Sequence, residues 1–141
     1  MNEWTYKGGP FPDATTDLSE WWGFVYVIED RTTGQKYVGK KFFTKASSKQ
    51  VKGKRKKIRK TSDWLNYWGS NVPLQEAVKA KGESFFTRSI LHLCRSKAEC
   101  SYYEAYEIFT RKALISDTYW NEWISCRIRK AHLPKLLVCT K

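Results

Sequence analysis

WWGFVYVIEDRTTGQKYVGKK, residues 21–41, holds two β-rich runs, each with a tyrosine, joined by a polar turn. The first run, residues 23–28, is aromatic and β-branched and carries no charge. The second, residues 36–43, sets Tyr37 and Val38 before Gly39. Between them lie charges, threonines and Gly34, which can take the positive φ of a hairpin turn. An isolated hairpin is marginal in water, and the first run is apolar on both faces. That predicts a central strand in a sheet of three or more. Tyr26 and Tyr37 then approach each other across the ladder. Because strand side chains alternate, the phenols share a face only if the loop has an even number of residues or a bulge corrects the register.

The chain has 141 residues, enough for one domain with a core but not for two. Its aromatic content of 16% suits a basic groove lined with stacking rings. No apolar run reaches membrane-spanning length and the N-terminus lacks the order of a signal peptide, so a soluble, cytoplasmic protein is expected. Residues 1–20, with Gly8, Gly9, Pro10 and Pro12, have no periodicity and read as an irregular arm. Residues 21–126 read as the domain, with a basic insertion at 44–60, and residues 127–141 as a basic tail. Cys94, Cys100, Cys126 and Cys139 lack zinc-ligand spacing and are expected to be reduced and idle.

Residues 40–60 contain eleven Lys or Arg and no acid, whereas the rest of the chain has fifteen basic and fourteen acidic residues. Nearly the whole net charge of +12 therefore sits beside the hairpin. Lys40, Lys52, Lys54, Arg55, Lys56, Lys57 and Lys60 are candidate contacts to a nucleic-acid backbone, which would release counterions on binding. Dense like charge with little to bury predicts that residues 52–60 are mobile in the free protein.

Thr61, Ser62 or Asp63 can cap a short helix holding Trp64, Leu65 and Trp68. Pro73 suits the first turn of another helix that stops at Gly82. Residues 85–93 read as a third strand beside the hairpin. Ser96 and Glu99 form a capping-box pattern, and the helix they open predicts an inward stripe of Ala98, Tyr102, Ala105 and Phe109. On that helix Glu107 has Arg111 one turn later, a local ion pair that explains it. Glu104 has no cation three or four residues away. An unpaired carboxylate in a groove is what a Mg²⁺ site requires, with water and phosphate completing the shell; Glu107 is the alternate.

Phe24-Val25-Tyr26 followed by Tyr37-Val38-Gly39 resembles the paired tripeptides of the GIY-YIG nucleases. The likeness extends through Trp64, Tyr67, Gly69-Ser70, a Phe-x-x-x-Ile-Leu run and Tyr119-Trp120-Asn121, covering residues 22–125. It is nearest the phage-borne, SegE-like branch related to homing endonucleases. The resemblance implies an α/β fold, a small three-stranded antiparallel sheet flanked by helices. It also implies an endonuclease, dependent on Mg²⁺ or Mn²⁺, that cuts or nicks double-stranded DNA. Tyr26 would activate or orient the water, Tyr37 would bond the phosphate or nucleophile, and Glu104 would hold the metal. Gly39 and Asn121 would support the site. Where the family has its arginine this chain has Ser47, which leaves Lys40, Lys41, Arg55 and Arg59 as candidate cations. Arg59 is favoured, with Lys41 next. A non-catalytic nucleic-acid-binding module on the same fold, or an inhibitor of a host protein, is the rival reading.

Overall fold

The computed structural model describes residues 3–132. Two short strands, β1 (Trp4–Tyr6) and β2 (Gly9–Phe11), precede the hairpin of β3 (Gly23–Asp30) and β4 (Lys36–Phe42). A second hairpin follows, β5 (Thr44–Val51) and β6 (Lys54–Thr61), then helix α1 (Val72–Lys81), strand β7 (Phe86–Cys94) and helix α2 (Lys97–Thr110). The fold is α/β. Its main sheet has five strands in the order β2-β1-β7-β3-β4, not the expected three, and it is mixed because β1 runs parallel to β7.

The extra strands lie in the segment read as an irregular arm. Lys7 and Gly8 both take positive φ, +52° and +84°, forming the two-residue turn that joins β1 to β2. Trp4 drives this addition: it is buried, and its indole N–H donates to the Trp64 carbonyl at 2.9 Å. Residues 52–60, expected to be mobile in the free protein, belong to a regular antiparallel ladder, β5 against β6, closed by Lys52 and Gly53 at φ +51° and +76°. The side chains of β6 bury little.

The central hairpin pairs Tyr26 with Gly39 and Tyr37 with Ile28. Six residues separate the last pair, Glu29 and Lys36, so the even-loop condition is met and both phenols lie on one face. A bulge does occur, but on the other side of β3: Ile90 opposes Tyr26 and His92 opposes Val25, leaving Leu91 as an extra residue. The tyrosine face, with Phe24, Ile28, Phe86 and Ile90, packs against Trp4, Trp64 and Leu74 of α1. The opposite face, with Val25 and Val38, packs against Cys100 and Ile108 of α2.

Helix α1 starts and stops on its sequence signals, and α2 starts on its own and ends at Thr110. The Asn71 side chain accepts from the Leu74 amide, Pro73 sits in the first turn, and Gly82 ends α1 at φ +97°. Ser96 caps α2 by accepting from the Glu99 amide at 3.1 Å. The reciprocal half of the box is not made: Glu99 is buried and its Oε2 has no hydrogen-bond partner among the described residues. The inward stripe of α2 also differs from the expected one. Cys100, Glu104 and Ile108 face the sheet at i, i+4 spacing, while Tyr102 and Phe109 are exposed. Aromatic residues on two faces of α2 made its periodicity ambiguous.

Asp30 ties the hairpin turn to α1. Its Oδ1 accepts from the Thr32 amide at 2.9 Å and the Thr32 hydroxyl at 2.6 Å, and its Oδ2 accepts from the Lys81 ammonium. Burial alone would raise this carboxyl, but the Lys81 and Thr32 hydrogen bonds outweigh it and bring its pKa from 3.8 to about 2. A carboxyl depressed by folding adds stability above its unfolded pKa and loses it as pH falls through the folded value. Asp30→Asn is therefore expected to cost about 2 kcal/mol at neutral pH. It should also flatten the loss of stability between about pH 4 and pH 2. Thermal melts across that range test this; an acid limb unchanged by the substitution would contradict it.

No helix of the described residues is long and apolar enough to cross a membrane. Among them Cys94 and Cys100 are free and buried and Cys126 is free and exposed; Cys139 lies outside the described residues. Of the basic tail only residues 127–132 are described, and Lys135 lies beyond them.

Candidate active site

The Tyr26 ring lies over Gly39, its partner across the ladder, and is 1% exposed. A Cβ at residue 39 would sit 2.4 Å from the Tyr26 oxygen and 3.0 Å from the Tyr37 ring. Gly39 is thus required by close approach, not by its backbone angles. On the other side, Gly69 at φ +83° passes the same phenol; a Cβ there would lie 3.4 Å from the oxygen. Two glycines therefore cover the Tyr26 hydroxyl, with no side chain between. Tyr67 closes the group: it meets Tyr26 edge to face at 6.1 Å between ring centres. Burial, followed by the neighbouring Tyr67 and Tyr37, pushes the Tyr26 phenol well above its usual range, so it holds its proton at neutral pH.

Tyr37 faces a cavity of about 430 Å³ beside the edge of β4, whose wall includes Ser70, Glu104, Asn121 and Glu122. Tyr26 is not on that wall. The Tyr37 oxygen lies 3.5 Å from the Ser70 hydroxyl, and burial raises its phenol as well, with Ser70 opposing. Glu104 reaches the cavity from the inward stripe of α2 and lies 3.5 Å from the Lys40 ammonium. A cation is therefore available to it across the fold, although none is available along its helix. Burial still dominates and raises its carboxyl, against the pull of Lys40.

Among the described residues no three His, Cys, Asp or Glu side chains cluster as ligands. Glu104, opening on a polar cavity that Glu122 also lines, fits a magnesium ion held by one or two carboxylates, with water and substrate phosphate as the remaining ligands. Glu107 is committed elsewhere. It accepts from Arg111 Nε at 2.8 Å and contacts His92 Nε2 at 2.8 Å, and His92 stacks on Tyr103 at 4.2 Å. Burial would raise Glu107, but these hydrogen bonds outweigh it and hold the carboxyl low.

Lys41 shares the face of Tyr37 and Gly39 by alternation. It pairs with Asp63 at 2.7 Å and lies 4.0 Å over the Tyr67 ring. Arg59, favoured from sequence as the cation, is placed differently. Its Nε and Nη2 donate to the Thr44 hydroxyl and carbonyl at 2.7 and 2.8 Å, and its guanidinium lies 4.3 Å over Trp22. It shares a cavity with Lys40 and Lys41, not with Tyr37 and Glu104. Lys52, Lys54, Arg55, Lys56, Lys57 and Lys60 lie on the exposed β5–β6 hairpin.

Asn121 mends the edge of β4. Its Nδ2 donates to the Val38 carbonyl at 2.8 Å and its Oδ1 accepts from the Val38 amide at 3.0 Å, fixing the backbone between Tyr37 and Gly39. Arg88 on β7, which drew no attention in the sequence, does the same for Tyr67. It is buried between Trp4 and Trp68 and donates to the carbonyls of Leu65 and Tyr67 at 3.0 and 2.9 Å. Its signal is an arginine amid the alternation of a buried strand.

The chain matches the family model described as "Putative endonuclease segE, GIY-YIG domain" over residues 4–124. It is 32% identical over 100 residues to the "Putative endonuclease segE" of Enterobacteria phage T4. That alignment spans 70% of this chain and 39% of the phage protein, so the chain corresponds to about two fifths of that relative. No solved structure matches. The matched span takes in both tyrosine strands, the glycine they require, the helix bearing Glu104 and the asparagine that mends the edge: the chain belongs to the family of the segE GIY-YIG domain.

Proposed function

We propose that this protein is an endonuclease that hydrolyses phosphodiester bonds in double-stranded DNA with the help of Mg²⁺ or Mn²⁺. The observation that carries this reading is the convergence of Tyr37 and Glu104 on one cavity, with Tyr26 held directly behind. Hydrolysis forms a bond from water oxygen to phosphorus as the bond to the leaving sugar oxygen breaks, and the departing alkoxide takes up a proton. The reaction needs an oriented water, stabilised charge on the phosphate and an eased departure. A metal at Glu104 supplies charge neutralisation on the phosphate oxygens.

Tyr37 and Ser70 offer hydroxyls to the phosphate on the cavity wall. Tyr26, protonated, orients the attacking water through its oxygen, which Gly39 and Gly69 approach without a side chain of their own. Lys41 replaces Arg59 as the preferred cation because it shares the tyrosine face. The burial of Tyr26 is also what a non-catalytic DNA-binding module would have, and the same experiment separates the two. Purified protein incubated with supercoiled plasmid and Mg²⁺ is expected to yield nicked or linear DNA, and chelator should abolish this. Salt-sensitive binding without cutting would install the binding module, and the absence of both would leave the inhibitor.

A further inference from the structure

The β5–β6 ribbon adds nothing to either core cluster, and its exposed side chains are sorted by face. Its register places Ser48, Gln50, Arg55 and Lys57 on one face and Lys45, Lys54, Lys56 and Lys60 on the other. The first face has the amide, hydroxyl and guanidinium groups that read base edges; the second carries lysine as its only charged type. Among the described residues none of Gln50, Arg55 and Lys57 is engaged by another side chain, and residues 31–62 contain no acid at all.

The root of the ribbon is fixed by Arg59, bonded to Thr44 and stacked on Trp22. Arg59 lies on the same face as Arg55 and Lys57, and with Ala46 it lines a cavity shared with Trp22, Lys40 and Lys97. Lys40 is also the partner of Glu104. That face therefore adjoins a basic cavity, and Lys40 joins the cavity to Glu104 of the candidate active site. A two-stranded ribbon fits the roughly 12 Å major groove of B-form DNA. The deep, narrow major groove of A-form RNA excludes it.

We propose that β5–β6 enters the major groove of duplex DNA lying across the candidate site. Gln50, Arg55 and Lys57 read base edges there, and Lys45, Lys54, Lys56 and Lys60 hold the flanking phosphates. This rests on the DNA reading above and gives it a source of sequence preference.

The test is binding, read by fluorescence anisotropy with labelled duplexes in chelator, so that cleavage plays no part. Replacing residues 47–58 by an Asn-Gly turn between Ala46 and Arg59 leaves both core clusters intact, which a thermal melt verifies. Duplex affinity is expected to fall by about 10²-fold or more at moderate salt, in line with the loss of several phosphate contacts. Lys54→Ala, Lys56→Ala and Lys60→Ala together should weaken all sequences alike and reduce the salt slope by about 0.9 per lysine. Gln50→Ala with Arg55→Ala should instead change which sequences are recovered from a random duplex pool, with losses of about tenfold on preferred sites. Parent-level affinity without the ribbon, equal affinity for duplex RNA, or a recovered set indifferent to Gln50 and Arg55 would overturn the proposal. Binding without cutting in the plasmid assay would not touch it, absence of DNA binding would end both readings, and failure here would leave the nuclease reading intact.

Discussion

Tyr26→Phe is expected to fold, bind DNA and cut it about 10²–10⁴-fold more slowly than the parent, the span typical of a lost proton-handling or orienting group. The substitution removes one oxygen from a buried position and keeps the ring. If the ring only fills the core, stability changes by no more than about one hydrogen bond, about 0.5–1.5 kcal/mol, and cutting is unchanged. In the proposed mechanism the phenol keeps its proton and orients the water. Tyr37→Phe should cost a similar factor, because Tyr37 lies on the cavity wall where the phosphate would be received. Plasmid cleavage at saturating Mg²⁺, with thermal melts as the folding control, separates the cases. Full activity in Tyr26→Phe with loss in Tyr37→Phe would confine the chemistry to the wall and leave Tyr26 as packing. Full activity in the folded double variant would remove both tyrosines from the reaction.

The parts legible in the sequence are those that one residue type can punctuate. Gly34, Pro73, Gly82 and Ser96 mark turns and helix ends through their own backbone chemistry, and β3, β4, β7 and both helices follow from them. The first two strands escaped because three residues each are too few to show a period. Their order comes from Trp4, whose partners Phe24, Tyr26 and Trp64 lie far along the chain. The ribbon escaped for a different reason. Its Lys52-Gly53 turn is a two-residue hairpin signal of the same kind as Lys7-Gly8, but charge density outweighed it in the reading. Tyr26, Tyr37, Gly39, Glu104 and Asn121 are candidates through a pattern, and the structure supplies a physical reason for the glycine and the asparagine. Proximity to a helix cap says nothing about which face a strand residue occupies, so the position of Arg59, bonded to Thr44 and over Trp22, is not readable from the sequence.

Glu104→Gln and Glu107→Gln are expected to fail in opposite ways. Glu104 is desolvated, has one cation at 3.5 Å and opens on the cavity with Tyr37. Its amide analogue gives up a charge that burial already penalises, so melting should be little changed or slightly raised. Cleavage should be lost, because an amide does not hold a magnesium ion as a carboxylate does. Glu107 is one helical turn away and shares its two oxygens between Arg111 and His92. Substitution there breaks the hydrogen bond to charged Arg111 and the contact to His92 in a half-buried network, not merely an exposed helical pair. It should cost about 1–3 kcal/mol while cutting continues. The raised carboxyl of Glu104 adds a pH signature. The ionised form is needed, so the acid limb of the cleavage profile should lie above the ordinary glutamate value and follow Glu104, because protonation there removes the ligand as pH falls. Cleavage and melts of the two variants, with pH profiles of the parent and Glu107→Gln, decide the matter. A dead Glu107→Gln beside an active Glu104→Gln would move the metal site one turn along α2.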